Sequence, residues 1–221
     1  MTKPHAYRAS NRMGAAVILN CTLIILELMA LGLNIDRLGT SLFLYYTQDS
    51  NLLALVAAIQ YSISATASRR RGTAIPAWMP VLKFTAVCCL MMTLCVTAFI
   101  LAPALGEGSI RYLLFTGTMF YQHFLCPLLA LASFLFFETE LRPTRSDCVW
   151  AVIPTVLYGA VLILLNVAHA ANGPYFFFMI YDQPVYMSVL WCALLFFSAY
   201  IISRVVRQAS LYFSDRYSRI S

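Results

Sequence analysis

The sequence predicts an all-α polytopic membrane protein, a bundle of six transmembrane helices with both termini cytoplasmic. Three observations lead there. Hydrophobic residues are 61% of the 221 residues, charged residues 11%, and the mean hydropathy is +0.76, whereas a soluble domain carries about 25% charged residues. Six apolar stretches each approach or exceed the roughly 20 residues that cross the hydrocarbon core as a helix. The cations gather on alternate flanks of those stretches, as the positive-inside rule requires.

The spans lie at about 13–33, 40–66, 79–103, 112–137, 149–171 and 184–206. Their continuous apolar character, without alternation of period two, favours helices over barrel strands. The first stretch matches a bilayer crossing in length and reads as a first span, not a cleaved leader. The second carries Thr47-Gln48-Asp49-Ser50-Asn51, five consecutive polar side chains, which are costly at that depth unless partnered. Breaks between spans fall at Gly39, at Gly72 with Pro76 and Pro80, at Gly106 with Gly108, at Pro143, and at Gly173-Pro174. No linker is long enough to separate two domains, so 1–221 reads as a single transmembrane domain. No period of repeats recurs.

Orientation follows from the short flanks. Lys3, Arg8, Arg12, Arg69, Arg70, Arg71, Arg142, Arg145, Arg204, Arg207, Arg216 and Arg219 fall on one side, with Lys83 near enough to snorkel there; only Arg37 and Arg111 fall on the other. The net charge of +6 is thus a topology signal and an attraction to anionic headgroups, and no nucleic-acid partner is expected. Six cysteines, Cys21, Cys88, Cys89, Cys95, Cys126 and Cys192, sit inside spans without a C-x-x-C pair and read as small buried hydrophobes.

Counting 1.5 Å per residue from the outer ends brings several polar groups to one layer in the outer half of the bundle. Thr47 falls about 10 Å down, His123 about 16 Å and Glu27 about 9 Å, with His169 near the outer surface. This predicts a cavity open to the non-cytoplasmic side or laterally to the outer leaflet. On the second span Thr47, Ser50, Asn51, Ala54 and Ala58 share one small, polar face, and Asp49 projects elsewhere. Such a face also serves as interhelical glue. On the fourth span Thr116, Met119, His123, Pro127 and Ala130 form a comparable stripe, with Pro127 freeing a carbonyl below the histidine. Glu27 needs a partner or a proton and reads as a supporting hydrogen-bonding group. Asp49 has two candidate partners, a histidine or Arg111. Asn166 and His169 share a face, and the aromatic run Tyr175 to Phe178 with Tyr181 reads as an interfacial belt or a substrate lid.

No G-x-S-x-G elbow, H-E-x-x-H helix, Walker loop or dinucleotide fingerprint occurs. A hydroxyl and an imidazole at similar depth remain, the minimum for nucleophilic acyl transfer.

Three stretches resemble the androgen-inducible protein and ADTRP family and its bacterial multi-span relatives. Tyr45 through Leu53 is similar to the family's aromatic-x-Thr segment and to the relatives' Thr-x-x-Ser-Asn-Leu pattern. His123 through Leu129 is similar to its membrane histidine followed by proline and aliphatics, and His169 through Phe178 to its H-x-x-x-G segment followed by aromatics. The third stretch has Pro174-Tyr175-Phe176 where the family carries a tryptophan and a Tyr-Pro pair. The resemblance implies hydrolysis of fatty-acid esters of hydroxy fatty acids or similar lipid esters, with Thr47 as nucleophile and His123 as general base. Ser50 or Asn51 would then donate to the oxyanion, and His169 and Asn172 would close the mouth or position the headgroup. Glu27 and Asp49 are further supporting candidates, and no metal or organic cofactor is required. The expected partners are an amphiphilic ester and membrane lipids, and the expected location is a bacterial inner membrane. A transporter or solute-binding protein using the same polar cavity is the alternative, and a haem protein with His123 and His169 as axial ligands is a further one.

Overall fold

The computed structural model describes residues 3–220, with side chains described from 11 to 219; the side chains of Lys3 and Arg8, counted for topology, lie outside that set. Helix α1 spans Lys3–Leu38, followed by a 3-10 segment Gly39–Leu44, and α2 spans Tyr46–Arg71. Helix α3 spans Met79–Leu105, and the short α4 spans Ser109–Phe115. Helices α5 and α6 span Gly117–Phe136 and Asp147–Val167. A 3-10 turn at Phe176–Phe178 precedes α7, Val185–Ile220. Six helices are long and apolar enough to cross a membrane, and no strand occurs among the described residues. The chain is an all-α membrane protein, and an even number of crossings returns both ends to one side. There the Arg12 guanidinium sits 3.9 Å over the Tyr217 ring.

Two span boundaries differ from the sequence reading in ways that shape the site. The second span starts at Tyr46 and not near residue 40, because Tyr45 is extended (φ −104°, ψ 119°) after the 3-10 segment. Thr47 is therefore in the first turn of α2. The fourth span is interrupted: Thr116 is extended (φ −125°, ψ 129°) and Gly117 takes φ +54°. That left-handed conformation is readily available only to glycine. The crossing helix thus begins at Gly117, and α4 is a separate half-helix.

Two π turns, Thr97–Leu101 in α3 and Tyr121–Leu125 in α5, each end two residues before a proline, Pro103 or Pro127. A proline inside a helix cannot donate to the ladder and crowds the carbonyl four residues back, so the register slips by one residue ahead of it.

Small residues of α2, Ala54, Ala57, Ala58 and Ala65, are almost wholly buried and let α1, α3 and α5 approach closely. Tyr61, Phe84 and Phe134 fill the half of that core nearer Arg12 and Tyr217. Gly72 caps α2 at φ +68°, its N–H donating to the Ser68 carbonyl, with three arginines in the last turn against the negative helix end. Helices α6 and α7 are peripheral. Leu157, Val161 and Leu164, like Val189, Leu190 and Phe197, turn outward, as lipid-facing positions do.

Lys83 does not snorkel. It is 1% exposed and lies 3.3 Å from Glu138, itself 0% exposed. It donates to Asn20 Oδ1 at 2.7 Å, while Asn20 and Ser133 donate to Glu138 Oε1 at 2.8 and 2.7 Å. Burial of the cation is tolerated because a carboxylate and one amide oxygen replace its water. All seven cysteines are free, and Cys21 is exposed on the outside of α1 and not buried.

Candidate active site

The half of the bundle remote from Arg12 and Tyr217 is organised by a pair of amides. Gln48 Nε2 donates to Gln122 Oε1 at 2.8 Å and Gln122 Nε2 returns a bond to Gln48 Oε1 at 3.0 Å; Asn34 Nδ2 also donates to Gln122 Oε1, at 2.8 Å. All three side chains are buried. This joins α1, α2 and α5 at one level, about 6 Å below the end of α1. Thr47 precedes Gln48 and His123 follows Gln122, so the register that pairs the amides also brings the next residues together. Thr47 Oγ1 lies 3.1 Å from His123 Nε2. The unequal depths expected from the sequence disappear because both spans start later than their apolar stretches do.

The other face of the imidazole is fixed by main chain. His123 Nδ1 lies 2.8 Å from the Leu113 carbonyl. In an unbroken helix that carbonyl would accept from Gly117 N–H, but the break at Thr116-Gly117 frees it. A carbonyl only accepts, so Nδ1 carries the proton and Nε2 keeps its lone pair for the threonine hydroxyl.

The π turn holding His123 has a second effect. Its shifted register leaves the Gln122 carbonyl opposite Pro127, which has no N–H to give. Asn51 Nδ2 reaches it at 3.4 Å and donates to the Thr47 carbonyl at 2.6 Å. Ser50 Oγ also bonds the Thr47 carbonyl, at 3.0 Å, and pairs with Thr93 Oγ1 at 2.7 Å. Both residues share the buried face with Thr47 as their spacing predicts, but their donors hold its carbonyl and do not point into open space.

Thr47 and His123 open on a cavity of about 340 Å³ whose walls include Asn34, Gln48, Gln122, Leu101, Leu113 and Met119, with the exposed Arg37 at its edge. Thr47 and Tyr175 also border a narrower apolar crevice of about 30 Å³ against Met92, Val96 and Leu195. Tyr175 stands between the two spaces. Its hydroxyl faces the Thr47 side chain and the backbone of Thr47 and Tyr46. Burial pushes that phenol up to about 12, so it stays a donor at neutral pH. The loop after α6 thus folds inward. Tyr175, Phe177 and Phe178 are buried against α3, α6 and α7, and form a wall, not an interfacial belt.

The other predicted residues lie apart. His169 adopts φ +52° beyond the end of α6, is exposed, and stacks on Tyr181 at 4.8 Å. Asn172 is exposed, and its carbonyl accepts from Asn166, which caps the end of α6. Neither lines the Thr47 cavity, because α6 stops at Val167 and the shared helical face of Asn166 and His169 ends with it. Asp49 turns toward a separate groove against Pro154, Leu157 and Val161, and among the described residues it bonds neither a histidine nor Arg111. Thr116, at the helix break, donates to the Arg111 carbonyl and is exposed, so the fourth-span stripe begins below it. Glu27 is 2% exposed and lies beneath the amide layer with Gln48, Asn51 and Gln122. No group of three or more potential metal-ligating side chains occurs among the described residues.

Gln122 and Leu113 carry no sequence reading as site residues, Gln48 enters only within the polar run of the second span, and Tyr175 only within the aromatic run read as a belt or lid. For the glutamines a signal was present, since each adjoins a candidate residue in an apolar span.

No family model matches the chain, and no curated protein or solved structure matches it.

Proposed function

We propose that the chain is an intramembrane hydrolase of lipid esters, with Thr47 as nucleophile and His123 as general base, working in a bacterial plasma membrane. The observation that carries this reading is the alignment of Thr47 Oγ1, the imidazole and the Leu113 carbonyl at 3.1 and 2.8 Å. It is the relay of a nucleophile, a base and an orienting acceptor, with main chain in the third place. The resemblance of the Tyr45 and His123 segments to the androgen-inducible protein family supports the same assignment.

His123 Nε2 takes the Thr47 proton as Oγ1 bonds to the ester carbonyl carbon. Negative charge develops on the carbonyl oxygen. The Tyr175 hydroxyl and the backbone N–H groups of Tyr46 and Thr47, which lie ahead of the first ladder bond from Gln48 N–H to the Tyr45 carbonyl, stabilise it at the positive end of the helix dipole. The C–O bond to the alcohol then breaks, and His123 returns its proton to that leaving oxygen. Water attacks the acyl-threonine, His123 receives a proton from it and passes it to Thr47, and the carboxylic acid departs. Apolar walls hold the acyl chain, and the exposed Arg37 at the mouth suits an anionic or polar head. In this reading His169 and Asn172 have no part, and Ser50 and Asn51 position the nucleophile's backbone.

The test compares hydrolysis of long-chain esters by purified protein with Thr47→Ala and His123→Ala. Loss of turnover in both, with unchanged thermal unfolding, supports the assignment; equal turnover in all three removes it. A transporter reading draws on the interrupted fourth span, a feature of many carriers. Uptake into proteoliposomes that persists in Thr47→Ala would favour it.

A further inference from the structure

The polar layer beneath Thr47 has two acceptors with nothing to accept. Glu27 Oε1 and Asn51 Oδ1 are buried without a hydrogen-bond partner, on residues that are each 2% exposed, while the Glu27 carboxyl is also met by the Cys126 thiol. Both line one small void of about 10 Å³ between α1, α2 and α5, closed by Gln48 and Gln122. That is close to the space of one water-sized occupant. The neighbouring amide nitrogens already donate elsewhere: Asn51 to Thr47 and Gln122 carbonyls, Gln48 and Gln122 to each other. Gln48 Oε1 accepts from Gln122 at 3.0 Å and keeps a lone pair. The groups left for an occupant are oxygens, one of them on a carboxyl.

A carboxyl inside a span must hold a proton or be neutralised by a cation. Among the described residues the Lys and Arg side chains paired with carboxylates are Lys83 and Arg142, and neither pairs with Glu27. We propose that this void binds a single sodium ion, ligated by Glu27 Oε1 and Asn51 Oδ1 with Gln48 Oε1 at its edge. An oxygen-only set suits a hard cation and not zinc or copper. One carboxylate balances one positive charge, whereas a divalent ion would leave an excess charge in the apolar bundle. The confined volume favours sodium over the larger potassium. Because Asn51 also grips the Thr47 carbonyl, a filled site steadies the first turn of α2. The proposal goes beyond the hydrolase reading and does not depend on it.

The experiment follows thermal unfolding of the purified full chain in detergent micelles, in sodium, potassium and choline chloride at matched ionic strength. Above the dissociation constant, each tenfold rise in sodium is expected to raise the midpoint by a constant step, as ligand linkage requires, with no such response to choline. Glu27→Gln should abolish the response, and Thr47→Ala should keep it even where hydrolysis is lost. Identical curves in sodium and choline overturn the proposal in favour of a protonated Glu27 sharing a water with Asn51. An equal response to potassium overturns the choice of ion, and an undiminished response in Glu27→Gln places sodium elsewhere and overturns the site. Should Glu27→Gln fail to fold, equilibrium dialysis of the wild-type protein with radiolabelled sodium decides: about one ion retained per chain supports it, and none overturns it.

Discussion

Replacing Lys83 by methionine removes the only cation from a cluster in which Asn20, Lys83, Ser133 and Glu138 are at most 2% exposed. Glu138 Oε1 then keeps two neutral donors, at 2.8 and 2.7 Å, while its Oε2 has no hydrogen-bond partner even with Lys83 present. Stranding a buried charge in this way costs about 3–5 kcal/mol. Glu138→Gln strands the ammonium instead, against Asn20 and the Tyr61 ring 5.5 Å away, and should cost a similar amount. The double variant carries neither charge and is expected within about 2 kcal/mol of wild type, so the coupling energy is about 3 kcal/mol or more. The pair Arg142–Asp215, at 3.0 Å but with side chains 53% and 57% exposed, is an internal control with an expected coupling of about 0–1 kcal/mol. Both cycles are measured by reversible unfolding in mixed micelles titrated with SDS. Additive effects at Lys83 and Glu138, or a Lys83→Met cost under about 1 kcal/mol, would refute the reasoning.

Tyr175→Phe should lower ester turnover about 10²-fold if its hydroxyl faces the oxyanion. Since burial raises that phenol to about 12, it stays protonated below that value, and the wild-type to variant rate ratio should be flat from about pH 6 to about pH 9. Gly117→Ala meets no atom within 4 Å but forces alanine to φ +54°, so unfolding measurements should register a loss of about 1–2 kcal/mol, with a smaller loss for Gly117→Asn. Gln122→Leu leaves the buried amides of Asn34 and Gln48 without their shared acceptor and should cost about 1–3 kcal/mol. Substituting His169 by alanine should leave turnover unchanged, as its imidazole stacks on Tyr181 away from the cavity.

Much of the architecture was legible because hydrocarbon imposes coarse rules: length, apolar continuity and cation placement suffice for six crossings. Span ends were less legible, since apolar residues continue through the 3-10 segment Gly39–Leu44 and through α4, where backbone conformation and not composition makes the break. The shared face of Thr47, Ser50, Asn51, Ala54 and Ala58 followed from helical periodicity, and all five are buried. His169 misled because the spacing rule that paired it with Asn166 assumes a helix that had already ended. The amide pair Gln48–Gln122 depends on contact between two spans far apart in sequence, which local pattern does not encode. Lys83 was misplaced for a related reason: Glu138, its partner, lies just past the end of α5.

The acceptor that orients His123 belongs to the main chain, so no side-chain change at Leu113 can delete it. Comparing residue identities at that position among related chains would give no hint of its importance. The trace to seek is instead the glycine four residues later that keeps the rod snapped, together with the proline four residues after the imidazole.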